Sequence, residues 1–189
     1  MEQNFQVKIL ESQIRESFGR VAWSYKTQEK CADILTRRNS RIKIIQIVLS
    51  AITTTGILLT VFGDQKWIGI LTALISTALL ALNTYLKNYD IGQIALKHAD
   101  CASCLWNIRE NYLSLLTDIK AEVISNEEII ERRDKLQNEL FSIYHGAPRS
   151  ISRAYDKASK ALKSNEELTF RDEEIDIFLP KELRKTKGE

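Results

Sequence analysis

The side chains best suited to chemistry lie close together: His98, Cys101 and Cys104 follow one another at steps of three, with Cys31 as the remaining cysteine. An imidazole and two thiolates are zinc-type ligands. On a helix, however, two such steps turn His98 and Cys104 about 120° apart, so they cannot close one tetrahedral site without ligands from elsewhere. Three cysteines are also an odd set for a disulfide framework. They read instead as small residues of a helix-packing face. Glu127, Glu128 and Glu131 stand at a helix start, where the macrodipole favours carboxylates without any catalytic role. The chain has no Gly-rich phosphate loop, nucleophile elbow or His-rich zinc signature. No catalytic residue, metal site or cofactor is expected.

A second polar set is informative because of its surroundings. Gln46, Ser50, Thr53 and Thr60 recur at steps of four, three and seven, which is one helical face, broadened by Thr54, Thr55 and Gly56. Thr72, Ser76 and Asn83 form a comparable line with Thr84 beside it. Both lines interrupt otherwise apolar stretches, 44–62 and 67–86, and the only charged residues between 44 and 86 are Asp64 and Lys66. Each stretch has close to the ~20 residues that a helix needs to cross a hydrocarbon core. Polar groups in lipid need partners, and small hydroxylated residues let helices approach closely. Two roles fit these lines: glue within a hairpin or between protomers, or the lining of a water-filled pore. One hairpin cannot enclose a pore, so the second role requires an oligomer.

The elements that would position these residues are helical throughout. Gly63, Asp64, Gln65 and Lys66 separate the two stretches, a turn short enough for a tight transmembrane hairpin. Phe62 and Trp67 mark one membrane boundary and Tyr85 and Tyr89 the other. Lys30, Arg37, Arg38, Arg41 and Lys43 precede the first span and Lys87 and Lys97 follow the second, whereas the turn carries only Lys66. The positive-inside rule then places both termini of a multi-pass membrane protein in the cytoplasm and the hairpin tip on the far side. Charged residues throughout 1–39 leave no early apolar core for a signal peptide. The basic residues suit topology and anionic lipid better than nucleic acid, and no nucleic-acid binding is expected.

Three regions result: an amphipathic cytoplasmic helix over 1–43, the hairpin over 44–86, and a cytoplasmic helical region over 87–189. Val7, Leu10, Ile14, Phe18, Val21, Tyr25, Ala32 and Leu35 form one apolar face in the first, with Gly19 its weak point. Ile91, Ala95, His98, Ala102, Leu105, Tyr112, Leu116 and Ile119 continue a similar stripe after the second span, which predicts one rod running on to about Val123. The two faces predict an antiparallel stalk of coiled-coil type. Ser125 with Glu128 has capping-box spacing and starts a helix through about Tyr144. Pro148 divides it from a helix near 150–163, and Phe170, Ile175, Phe178 and Leu179 are expected to anchor the acidic tail to the bundle. The fold class is thus an all-α membrane protein, a two-helix transmembrane hairpin extended into a cytoplasmic helical bundle.

The segments RVAWSYKTQEKCADIL at 20–35, YDIGQIALKHADCASCLWNIR at 89–109 and FRDEEIDIFLPKELR at 170–184, flanking a two-span hairpin with a very short turn, resemble the SLATT family. These are two-transmembrane effector domains of bacterial conflict systems. The resemblance implies a membrane effector of anti-phage defence that forms a gated pore or disrupts the inner membrane. It also implies a separately encoded partner: a sensor, a nucleotide-signal synthase or a reverse transcriptase. It brings no catalytic residues. The competing expectation is a non-conducting membrane-anchored scaffold that recruits a cytoplasmic protein, its polar lines serving only helix packing.

Overall fold

The computed structural model describes residues 2–63 and 66–185, with side chains from Gln6 onward. Of the turn residues, Asp64 and Gln65 lie outside the described residues. All regular elements among the described residues are helical. They are α1 (Glu2–Phe62), α2 (Lys66–Asn88), α3 (Ile91–Lys120), α4 (Asn126–Gly146), α5 (Ser152–Lys163), α6 (Asp172–Phe178) and a 3-10 turn at Lys181–Leu183.

α1 is one helix of 61 residues, roughly 90 Å long at ~1.5 Å per residue. The chain's two prolines, Pro148 and Pro180, both lie outside it, so nothing in α1 removes a backbone donor. Gly19 does not interrupt it, and a side chain there would meet nothing within 4 Å. α3 packs antiparallel against the first half of α1, and α2 packs against the second half. The stalk core comprises Ile14 and Val21 of α1, Leu105, Ile108, Tyr112 and Leu115 of α3, and Ile129 and Leu136 of α4. The two stripes read from the sequence therefore face one another, and the Tyr112 hydroxyl meets Ser17 inside the contact.

The stretches 44–62 and 67–86 form the end of α1 and most of α2. Their outer faces are bare: Ile47, Val61, Ile70 and Leu80 expose 69, 69, 67 and 68% of their surface. In water so continuous an apolar surface would drive association, whereas in a bilayer it is the surface that lipid requires.

Two expectations require correction. The second span does not continue into α3 as an unbroken rod, because the helix is interrupted at Tyr89 and Asp90. Asp90 leaves the helical region at φ −76°, ψ 89°, and its carboxylate accepts from the Gln93 amide at 2.9 Å, so it caps a new helix. A short carboxylate side chain competes with the ladder for backbone N–H groups, and the apolar stripe carries no trace of this. Gly92 lets the new helix approach α1, since a Cβ there would lie 2.9 Å from Asn39 Nδ2. α3 then ends at Lys120, short of Val123.

The tail is not anchored by its apolar residues. Phe170 and Phe178 are 65 and 80% exposed, Ile175 is also exposed, and Leu179 is half-buried. α5 already covers the adjoining part of α1, and a seven-residue helix offers little apolar area of its own. The contact with α1 is polar and lies at the root of the tail, where Glu167 meets Lys26 at 2.8 Å, and the Lys185 amide donates to Asp176 at 3.1 Å within the tail itself.

Candidate functional site

The spans meet along a seam that repeats every 3.5 residues on average. On α1 the covered positions are Ile42, Gln46, Leu49, Thr53 and Gly56; on α2 they are Ile68, Thr72, Ile75, Leu79, Leu82 and Leu86, with Gly69 beside the first. This is the period of a left-handed helix pair. Gln46 Nε2 donates to Asn83 Oδ1 at 2.6 Å across the seam. Thr53 and Thr72 are buried. Thr53, Thr54, Thr60, Thr77 and Thr84 each donate to the carbonyl four residues earlier, so these hydroxyls need no water. Gly56 and Gly69 set the spacing: a Cβ on Gly56 would lie 2.2 Å from Thr72 Oγ1, and one on Gly69 2.9 Å from Thr60 Cγ2. Small residues thus draw the backbones together, as lipid-embedded pairs require.

The polar candidates divide into two groups. Gln46, Thr53, Thr60, Thr72 and Asn83 meet within one hairpin. Ser50 and Ser76 make no such contact and are exposed, as are the outer sides of Thr60 and Asn83. Ser76 borders a cleft of about 250 Å³ together with Ile57, Thr60, Gly69 and Thr72. Residues seven apart share a helical face, so Ser50 stands on the same side as Ile57, and Asn83 on the same side as Ser76. One flank of the hairpin therefore collects Ser50, Ser76 and the edge of the Gln46–Asn83 pair.

A second constellation, not anticipated from the sequence, clamps α5 to α1. Ala154, Ala158 and Ala161 are buried to within 2% and let α5 lie close. Lys26 is buried, and its ammonium meets Glu29 at 2.7 Å and Glu167 at 2.8 Å; Lys30 meets the same Glu167 oxygen at 3.1 Å. Burial disfavours the Lys26 charge, but hydrogen bonds to Glu167 and Glu29 outweigh it and raise the pKa. The bonds from Lys26 and then Lys30 hold the Glu167 carboxyl down at about 2. Trp23 packs on Tyr155 with ring centroids 5.3 Å apart, and the Lys163 ammonium lies 5.2 Å from the Trp23 ring centre. The sequence clue was the i, i+4, i+7 alanine spacing in α5.

The His98 and cysteine side chains diverge. His98 is buried and donates from Nδ1 to Gln28 Oε1 at 2.5 Å, while Gln28 Nε2 donates to the Pro148 carbonyl at 3.2 Å. Burial lowers the His98 pKa and keeps the ring neutral. Cys101 lies in the stalk core, Cys104 is exposed, and Cys31 is buried beneath the Ile151 backbone. His98 therefore joins α3 to α1 and, through Gln28, to the segment leading into α5.

An apolar hairpin with a satisfied polar seam and a long helical stalk defines an all-α membrane protein with two spanning helices. Residues 10–174 match the SLATT family described as SMODS and SLOG-associating 2TM effector domain family 4, and the chain belongs to that family. No curated protein and no solved structure matches the chain.

Proposed function

We propose that this chain is the membrane-acting effector of a bacterial anti-phage system and that it acts without catalysis. Several hairpins assemble in the inner membrane, with both termini cytoplasmic, into a gated pore. The family description supports association with SMODS and SLOG proteins, so the trigger would come from a separately encoded sensor or nucleotide-signal synthase. A reverse transcriptase is another candidate for that role.

The observation that carries the pore reading is the polar flank of the hairpin that borders the cleft. Ser76 is exposed beside the cleft with Ser50 farther along the same side, and Asn83, though bonded to Gln46, is exposed there too, while Thr53 and Thr72 are buried in the seam. Assembly that turns this flank toward a common axis would line a pore with Ser50, Ser76 and Asn83 and leave the bare apolar faces to lipid. Gln46, Thr53, Thr60 and Thr72 are assigned to holding each hairpin together. The Gln46–Asn83 bond also favours a scaffold, because a hairpin that satisfies its own amides needs no pore.

Membrane potential separates the two readings. The chain is expressed in bacteria, with and without its neighbouring gene product, beside Ser50→Leu/Ser76→Leu at matched membrane levels. Depolarisation by the native chain and its loss in the double variant is the expected result. Depolarisation by both would refute the assigned lining. No depolarisation by the native chain under either condition would refute the pore and leave the scaffold.

A further inference from the structure

We propose that the acidic tail of one copy docks on the basic segment of α1 in a neighbouring copy, so that assembly proceeds head to tail. The inference rests on the assembly of several hairpins proposed above and names the contact that orders them. Two surfaces of opposite sign lie unused on the same chain. Around α6, Glu166, Phe170, Glu174, Ile177 and Phe178 border a cleft of about 470 Å³ in which Arg171 is the one cation. Glu166 and Glu173 carry carboxylates that meet no hydrogen-bond or ion-pair partner among the described residues, and Ile177 and Phe178 are 72 and 80% exposed. On α1, Arg37, Arg38 and Arg41 are exposed and likewise unpaired among the described residues. An apolar cleft rimmed by carboxylates suits a cationic helix and is repelled by an anionic lipid surface.

The membrane sets the register of this contact. Copies anchored by the same hairpin stand parallel and at one level, and Glu167 fixes the root of the tail at Lys30. Arg37 and Arg41 lie about 10–17 Å farther along α1 at ~1.5 Å per residue. The 172–185 segment, with a seven-residue helix and a 3-10 turn, is long enough to cover that offset. The donor surface and the acceptor surface differ, so the contact is heterologous: each copy gives a tail to one neighbour and receives one from another. Such contacts close into rings when the rotation permits, as a pore requires.

The test uses full-length chains in native bacterial membranes, all carrying Cys104→Ser to remove the exposed thiol. Ile177→Cys on one tagged copy and Ser40→Cys on a differently tagged copy are co-expressed and treated with a short bis-maleimide. A product bearing both tags is expected. Its yield should fall about tenfold when the Ile177→Cys copy also carries Glu166→Arg and Glu173→Arg, and return when Arg37→Glu and Arg38→Glu are added to the other copy. The tail reversal leaves the basic flank of the spans untouched, so its effect cannot come from altered topology. Absence of the two-tag product would overturn the proposal. So would a yield insensitive to charge, or cross-linking only when both cysteines share one chain, which would assign the tail to its own stalk. A charge-sensitive product without depolarisation would keep this contact and reject the pore. Depolarisation without the product would do the reverse.

Discussion

Glu167→Gln isolates the clamp between α5 and the stalk. The native carboxylate meets Lys26 and Lys30 at 2.8 and 3.1 Å, with Lys26 side-chain exposure at 7% and Glu167 at 32%. Exposed ion pairs contribute ~0–1 kcal/mol, whereas breaking a buried pair costs ~3–5 kcal/mol. This pair is intermediate, and Lys26 keeps Glu29 at 2.7 Å, so a cost of about 2 kcal/mol follows. The Lys26 and Lys30 bonds that hold the Glu167 carboxyl at about 2 have the sign this cost requires. Cys31 offers a direct readout, because it is fully buried beneath Ile151 at the start of α5 and reacts only when α5 lifts. In a Cys101→Ala, Cys104→Ser background, its maleimide labelling should accelerate about 30-fold in Glu167→Gln, following the open population. Glu166→Gln, one residue away and without an ion-pair partner among the described residues, should stay within about twofold of the native rate. Unchanged labelling in Glu167→Gln would mean that the alanine and Trp23 contacts hold α5 without the ion pairs and would refute the clamp. An equal loss in global thermal stability would show that the opening is not local to α5.

The clamp also has a defined pH response. A depressed carboxyl pKa stabilises the folded form above 4.5 and loses that contribution as pH falls toward about 2, so the α5-opening difference between native and Glu167→Gln, read from Trp23 emission in a Trp67→Phe, Trp106→Phe background, should vanish across that window. A difference that disappears by pH 6, or persists at pH 2, contradicts it. In the hairpin, Gly56→Ala places a Cβ 2.2 Å from Thr72 Oγ1 and should cost about 1–3 kcal/mol by forcing the spans apart. Disulfide yield between Gln46→Cys and Asn83→Cys should drop in this variant and recover substantially with Thr72→Ala; an unchanged yield would show that Gly56 does not set the spacing. Finally, Asp90→Ala removes the acceptor for the Gln93 amide at about 1 kcal/mol, so exchange of that amide should quicken about fivefold. Slower exchange would instead mean that α2 and α3 merge into one rod.

Long-range periodicity made the two spans and the stalk stripes legible, because lipid and the stalk core both select apolar residues over many turns. Val7 through Tyr25 and Leu105 through Ile119 meet as their spacing predicts. Local competition was less visible. Asp90 breaks the helix between two apolar runs through one carboxylate hydrogen bond, and no averaged pattern registers a single cap. Phe170 and Phe178 have the composition of an anchor, yet whether they are covered depends on which face of α1 is already taken by α5. The polar seam was legible as a set of lines, but not as a division: the Gln46–Asn83 bond and the Gly56–Thr72 contact depend on the relative rotation of two helices, which spacing along either one does not contain. The clamp at Lys26 joins residues 141 positions apart, a separation at which single-sequence patterns carry no pairing information.

The interruption at Asp90 changes how stalk and membrane can communicate. With α2 and α3 separate, rotation of α3 has a break in its ladder before it reaches Asn83, and the backbone there can absorb it. α1 has no such break between Lys26 and Phe62, so it is the element able to carry a displacement from the clamp into the first span. The seam then conveys that displacement to α2, because Gln46 grips Asn83 and Gly56 presses on Thr72. Coupling of this kind requires an element with two arrangements that both ends can bias. α5 is the candidate for that element: it is held by one carboxylate on two lysines, by a Trp23–Tyr155 contact and by three alanines, and none of its residues belongs to the stalk core. In the proposed effector, a partner that lifted α5 would free the Trp23–Cys31 stretch of α1, and the unbroken helix below it would bring the change to Ser50.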